Sequence, residues 1–371
     1  MFNERARFRL HHPIGTIPQL TEAPAGAPRV DIAARAIAAF QRTEPVFAGA
    51  VWEPLLEGPQ RDLTRWLSEA DAHALASDLA ALGRSEAAQG FFGGAGQHRR
   101  CAGDPAFAQV LAAWTHDKTL SLAEAVGAVR MELPENGAWG ETIMMPTADL
   151  FAAIEAKLGL DLSPPAHVGA YLGVAAGDRV LQMRVLEAIY AAWRLKQLAD
   201  EHDFTTVCEI GAGAGLTAYY AVLLGIPRYL IIDLPTMNAV QAYMLAGSSV
   251  GDRVVLSGEQ QEGAIRILPP DAFCGLEPGA VDLLYNQDSL PEIEPHAARA
   301  YLTDAHRIGV RLFLSINQEA HLPTASGRQT SVGELVTDAG GFTLRSRHRH
   351  WLRQGYAEEL YTPEPSAFAA S

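Results

Sequence analysis

The segment VCEIGAGAGLTAYY (207–220) follows an apolar run with an acid and three glycines at alternate positions, Glu209, Gly211, Gly213 and Gly215. Glycines in that register remove Cβ atoms where a strand turns into a helix, so backbone N–H groups can approach a ligand edge. The dinucleotide fingerprint GxGxxG would need glycine at 216, where the chain has Leu216, and no Lys with a following Ser or Thr completes a phosphate loop. Asp233 comes 22 residues after Gly211, at the end of the next apolar run, where a carboxylate can accept both hydroxyls of a ribose. Glycine turn and acid together point to a ligand that carries a ribose.

Such residues need a sheet to converge on. TTVCEIG, RYLIIDLP, DRVVLSGE, VDLLYNQ and VRLFLSIN are short apolar runs separated by helical segments or turns, the pattern of a parallel sheet covered on both faces. FTLRSRHRHW and GYAEELYTP, joined at Gln354-Gly355, predict a closing antiparallel hairpin. VLQMRVLEAIYAAWRLKQLAD predicts a helix with Leu186, Ile189, Tyr190 and Trp193 on one face. The expected fold is α/β: a Rossmann-like, mostly parallel sheet over residues 166–371, preceded by a mostly helical, alanine-rich region, 1–165. That region would serve as lid, substrate wall or dimerisation surface, and its breaks at 91–105 and 134–146 are either connectors or mobile covers. In open α/β sheets ligands bind beyond the carboxyl ends of the strands, which brings together Gly211–Gly215, Asp233–Pro235 with Leu234, Asn286–Glu292 and Asn317–His321.

Composition narrows the partners. The chain has 371 residues, 48% of them apolar, enough for about two domains with real cores. A formal net charge of −14 argues against a nucleic-acid partner, which would call for a basic face. No apolar run nears the roughly 20 residues of a membrane span, the start MFNERARFRLHHPIG lacks an apolar signal core, and three cysteines without CxxC spacing suit reduced thiols. A cytoplasmic protein acting on a small molecule is expected, with a homodimer left open. RSRHRHWLR (345–353) sets Arg345, Arg347 and Arg349 at period two, either a solvated edge or a wall for an anionic substrate.

ExGxGxG with the second-strand acid resembles the motif pair of class I S-adenosylmethionine-dependent methyltransferases. RVLQMRVLEAIYAAWRLKQL, the stretch from EIGAGAG to QAYML, IRILPP, NQDSLPEI, LFLSINQEA and HWLRQGYAEELY resemble, in this order, the bacterial sugar O-methyltransferase family, and PENGAWG and the segment around Tyr171 extend the likeness to about residues 130–362. The resemblance implies a class I methyltransferase fold, S-adenosyl-L-methionine as cofactor and O-methylation of a sugar or other small hydroxylated metabolite. It places Glu209, Gly211, Gly213, Gly215 and Asp233 at the cofactor; position in the strand-end loops adds Leu234, Asn286 and Gln287, a ring face adds Tyr171, and Arg184, on the helix entering the sheet, is either on the cofactor carboxylate or in a surface ion pair.

Methyl transfer asks the protein to hold a nucleophile in line with the sulfonium methyl and to remove its proton, a contribution of about 10²- to 10⁴-fold. The candidate bases are His321, whose ordinary pKa suits the task, Asp288 and Glu319. Asp288 and Glu292 also have the helix-capping role open to them, which is the favoured one for Glu292. Asp288 with Glu319 lacks the tight spacing of a metal site, and none is expected. Trp139, Tyr171, Tyr190, Tyr219, Tyr220 and Tyr285 are either core or ring faces for the cationic sulfur. Three alternatives stand beside sugar methylation. They are methylation of a non-sugar molecule, acceptor-free cyclisation of S-adenosylmethionine to azetidine-2-carboxylate with release of methylthioadenosine, and cofactor binding without turnover.

Overall fold

The computed structural model describes residues 10–46, 48–133, 135, 139–320, 323–324 and 327–364. Its N-terminal part holds β1 (Leu20–Glu22) and helices α1 (Val30–Phe40), α2 (Gly49–Glu57), α3 (Arg61–Glu69), α4 (Ala72–Ala80), α5 (Gly94–Gly103), α6 (Pro105–Ala125) and α7 (Thr147–Leu158). The hairpin β2 (Leu172–Ala176) and β3 (Arg179–Leu181) follows and pairs with β1 in a small antiparallel sheet. Val180 and Leu181 are therefore strand, and the helix expected from residue 180 starts later, as α8 (Met183–His202), where the Gln182 side chain accepts the Arg184 N–H. The expected glycine-rich break at 91–105 is largely the helix α5, while residues 134 and 136–138 of the second break lie outside the described residues.

The main sheet is built from β4 (Thr206–Ile210), β5 (Arg228–Ile232), β6 (Val254–Leu256), β7 (Ile265–Leu268), β8 (Leu283–Gln287), β9 (Leu312–Gln318), β12 (Phe342–Arg349) and β13 (Tyr356–Pro363); β10 (Pro323–Thr324) and β11 (Gly327–Arg328) form a separate two-stranded ribbon. The order is β12-β13-β9-β8-β4-β5-β7-β6. Its strands β4 to β9 run parallel and the final hairpin is antiparallel, so the fold is the class I methyltransferase type of Rossmann-like α/β sheet. β12 is an edge strand, and a bulge between Leu344 and Ser346 breaks the expected period-two register of the arginines.

Side chains alternate between two cores. Tyr229 and Ile231 of β5 join a cluster that continues through Leu186 and Ile189 of α8 to Leu120 of α6 and Leu63 of α3. Leu230 and Ile232 point the other way, to Leu302 of α11 (Pro295–Arg307) and Leu335 of α12 (Val332–Ala339). The first cluster binds the N-terminal helices to the sheet continuously. α9 (Leu216–Leu223) and α10 (Pro235–Ala246) start at the carboxyl ends of β4 and β5, which leaves their N-termini at the same edge as the strand loops. Among the described residues no helix is long and apolar enough to cross a membrane.

Candidate functional site

A cavity of about 630 Å³ opens at the carboxyl ends of β4, β5 and β8, a size typical of small-molecule sites. One wall is the glycine loop, and its three glycines answer three different demands. At Gly211 (φ +72°) a Cβ would lie 2.2 Å from the Ser289 side chain, so this glycine admits the loop after β8. At Gly215 (φ +79°), which caps α9, it would come within 3.0 Å of Leu245. At Gly213 (φ +54°) it would meet only Phe91 Cβ, at 3.6 Å, and otherwise the cavity. Only Gly213 keeps the loop's ligand side bare.

Asp233 ends this wall. Its Oδ1 accepts the Leu234 N–H (2.8 Å), and Oδ2 accepts the Ala212 N–H (2.9 Å) and Gln241 Nε2 (2.6 Å). The same Gln241 nitrogen donates to Gly213 O at 3.0 Å, tying glycine loop to acid. Burial raises the Asp233 carboxyl to about 6 against the pull of these donors. Glu209 lies at the floor, accepts the Tyr229 hydroxyl at 2.8 Å, and is raised to about 8 by burial, with Asp233 adding to the rise.

The opposite wall is a charge cluster. Arg184 Nη1 donates to Glu187 Oε2 (3.0 Å) and to Asp288 Oδ2 (2.9 Å), and Arg353 also pairs with Asp288. Behind them Lys118 Nζ, on a buried side chain, holds Glu187 Oε1 at 2.7 Å and Leu352 O at 2.7 Å. Burial would push both acids up, but Lys118, Arg353 and Arg184 outweigh it at Glu187, and Arg353 and Arg184 outweigh it at Asp288, so both are held below the usual carboxylate range. Three cations face two carboxylates, leaving one positive charge at the wall that Arg184 and Arg353 present to the cavity. Asp288 adopts φ +69°, and that left-handed turn aims the loop after β8 inward.

The N-terminal region makes the roof: Trp52 of α2 with Phe91 and Phe92 line the cavity above the glycine loop. Trp52 Nε1 donates to Glu292 Oε2 at 3.2 Å. Glu292 does not cap a helix, because α11 begins only at Pro295 with Glu294 as its N-cap; it lines the cavity, and burial, then Asp288, raise it to about 7.

Several expected residues stand elsewhere. Asn286 is fully buried and spends its amide on Ile210 O (2.8 Å) and the Ser289 hydroxyl, bracing the loop without lining the cavity. Tyr171 stacks on Phe92 with ring centroids 6.3 Å apart, one layer behind the wall, and burial raises it to about 12. Glu319 is exposed and paired with Arg347, away from the cavity. His321 lies outside the described residues. Trp139 is solvent-exposed, and Tyr190, Tyr219, Tyr220 and Tyr285 are buried in the core, so the rings at the cavity come from other positions. Gln287 and Leu234 line it. Lys118, Glu187 and Gln241 carried no motif of their own, and Arg353 ends the arginine-rich stretch 345–353 without having been singled out there; their places appear only in the fold. No group of three or more potential metal ligands occurs among the described residues.

No family model matches the chain, and no curated protein matches it. Solved structures similar to it include the CcbJ methyltransferase from Streptomyces caelestis, 13% identical over 47% of this chain and 89% of that one, with a TM-score of 0.36. A 1,6-didemethyltoxoflavin-N1-methyltransferase from Burkholderia thailandensis, with S-adenosylhomocysteine bound, is 18% identical over 47% of this chain and 79% of that one (TM-score 0.33). Magnesium protoporphyrin IX methyltransferase from Synechocystis PCC 6803 is 13% identical over 50% of this chain and 86% of that one (TM-score 0.34). Likeness at this level carries no functional argument; the cavity's own residues do.

Proposed function

We propose that the cavity binds S-adenosylmethionine and that the protein is a methyltransferase acting on a small hydroxylated molecule, a sugar in the reading that the family resemblance implies. The observation that carries this is the pairing of walls in one cavity: a bare glycine loop with a ribose-competent acid on one side, and a cluster with one unbalanced positive charge on the other. The cofactor, when bound, supplies an electrophilic sulfonium methyl. Gly213 leaves room for it, and Asp233, ionised above about pH 6, accepts the ribose hydroxyls. Arg184 and Arg353 offer charge-assisted hydrogen bonds to an amino-acid carboxylate. Trp52, Phe91 and Phe92 exclude water and give an aromatic surface that attracts a cation.

The test is to titrate S-adenosylmethionine into the protein by calorimetry, then incubate the two with and without a panel of monosaccharides and identify the nucleoside released. S-adenosylhomocysteine formed only with an acceptor supports the proposal. Enzyme-dependent methylthioadenosine without any acceptor would replace it with cyclisation, binding without any product would leave a cofactor-binding protein, and absence of binding would end the reading of the cavity.

A further inference from the structure

The loop from Asp288 to Glu294 carries three carboxylates in three different situations. Asp288 is shared by Arg184 and Arg353. Glu294 accepts the Ala50 N–H at 3.0 Å and so docks α2. Glu292 lies between them on the cavity wall with one hydrogen bond, from Trp52, and among the described residues no ion pair to it occurs. The groups that act on it are Asp288 on its own loop, Trp52 from α2, Arg184 from α8 and Arg353 from the final hairpin. Both arginines are paired with Asp288 and Glu187, and among the described residues neither pairs with Glu292, so burial and the charge of Asp288 outweigh their pull on it.

We propose that Glu292 is the proton acceptor of the reaction, taking the hydroxyl proton of the acceptor as the new O–C bond forms and the C–S bond breaks with its electron pair left on sulfur. This rests on reading the cavity as an S-adenosylmethionine site. Neighbouring carboxylates whose environments drive their pKa values apart mark a division of labour. Asp288, clamped by arginines, is a weak base and a positioning group. Glu209 belongs to the nucleoside wall, beside Asp233, and already receives the Tyr229 hydroxyl. Glu292 lines the same cavity, held by Trp52 of the aromatic roof, with its carboxyl raised to about 7, where a general base is effective.

The experiment uses the full chain with Glu292→Gln, Glu292→Asp and Trp52→Phe. Tryptophan emission of the cofactor-free wild-type protein should titrate near pH 7, because Trp52 donates to the titrating carboxyl, and the inflection should vanish in Glu292→Gln and Trp52→Phe. With S-adenosylmethionine and the monosaccharide panel, Glu292→Gln should lower nucleoside release by about 10²- to 10⁴-fold and lose the acid limb of the pH–rate profile. Cofactor affinity by calorimetry should stay within about threefold of wild type, a difference under 1 kcal/mol, and Glu292→Asp should recover part of the rate. An inflection that persists in Glu292→Gln, or none in wild type, overturns the assignment, as does wild-type turnover by Glu292→Gln. Failure of the wild-type protein to bind S-adenosylmethionine would instead remove the cofactor reading, and calorimetry distinguishes the two.

Discussion

The two walls of the cavity are made by opposite means. Residues 209–241 build the glycine-loop wall from one continuous stretch: a strand, a glycine turn, a helix, a second strand with its acid, and Gln241 one helix further on. The charged wall is assembled from Lys118 on α6, Arg184 and Glu187 on α8, Asp288 after β8 and Arg353 in the last hairpin. The first is shaped by where backbone can go, the second by charge balance across the fold. Damage to each should therefore be read by a different instrument: ligand affinity for the first, global stability for the second.

The largest effect expected is at Glu187. Glu187→Ala removes the anion that Lys118, Arg184 and Arg353 share and leaves Lys118 buried with, among the described residues, only the Leu352 carbonyl to accept from it. Breaking a buried pair from one side costs about 3–5 kcal/mol, so the urea midpoint at pH 7 should fall accordingly. Asp233→Ala, in the same assay, should lose much less. A cost below about 1 kcal/mol, the scale of an exposed ion pair, would mean the cluster does not build the wall.

The same contrast explains what could be read before the fold was seen. The apolar runs account for five of the six parallel strands and the closing hairpin, missing the short β7, and Glu209, Gly211, Gly213, Gly215, Asp233 and Leu234 could be put at the strand ends because strand-to-helix turns are local. The charged wall had no local signature. Lys118 lies in THDKT, five consecutive polar residues; in the structure they sit within α6 and all five are buried. Glu292 fitted a capping pattern, and only the late start of α11 frees it for the cavity. Asn286 and Glu319 were placed by their position after a strand, yet a loop residue can turn inward to brace its neighbours or outward to an arginine, and sequence position does not distinguish these.

On the glycine-loop wall the glycines offer the next test, of intermediate size. Gly213→Val should weaken S-adenosylmethionine binding at least about tenfold, about 1.4 kcal/mol, since its side chain would project where the loop faces the cavity, in a backbone conformation that favours glycine. Asp233→Ala should do the same by removing the ribose acceptor. Gly211→Ala should act differently, meeting Ser289 at 2.2 Å and lowering stability along with affinity. Equal loss of stability for Gly211→Ala and Gly213→Val, with affinity unchanged in the latter, would dissolve the division of roles among the glycines.

The smallest effect expected is at Gln241, where the two measurements should separate most cleanly. Its Nε2 ties Asp233 Oδ2 to Gly213 O, while its buried Oε1 has no hydrogen-bond partner among the described residues. Gln241→Leu therefore removes one unsatisfied acceptor together with the useful donor, and stability should change little. Affinity for S-adenosylmethionine at pH 8 should fall only about three- to fivefold, about 1 kcal/mol, as the acid loses its tether. The pH dependence is more telling. Asp233 must be ionised to accept ribose hydroxyls, so wild-type affinity should decline as pH falls through about 6. Losing a donor to the carboxylate disfavours its charged form, so in Gln241→Leu the decline should begin at a higher pH. Calorimetric titrations between pH 5 and 8 would show this, and an unmoved acid limb would mean that Gln241 packs beside the acid without setting its charge.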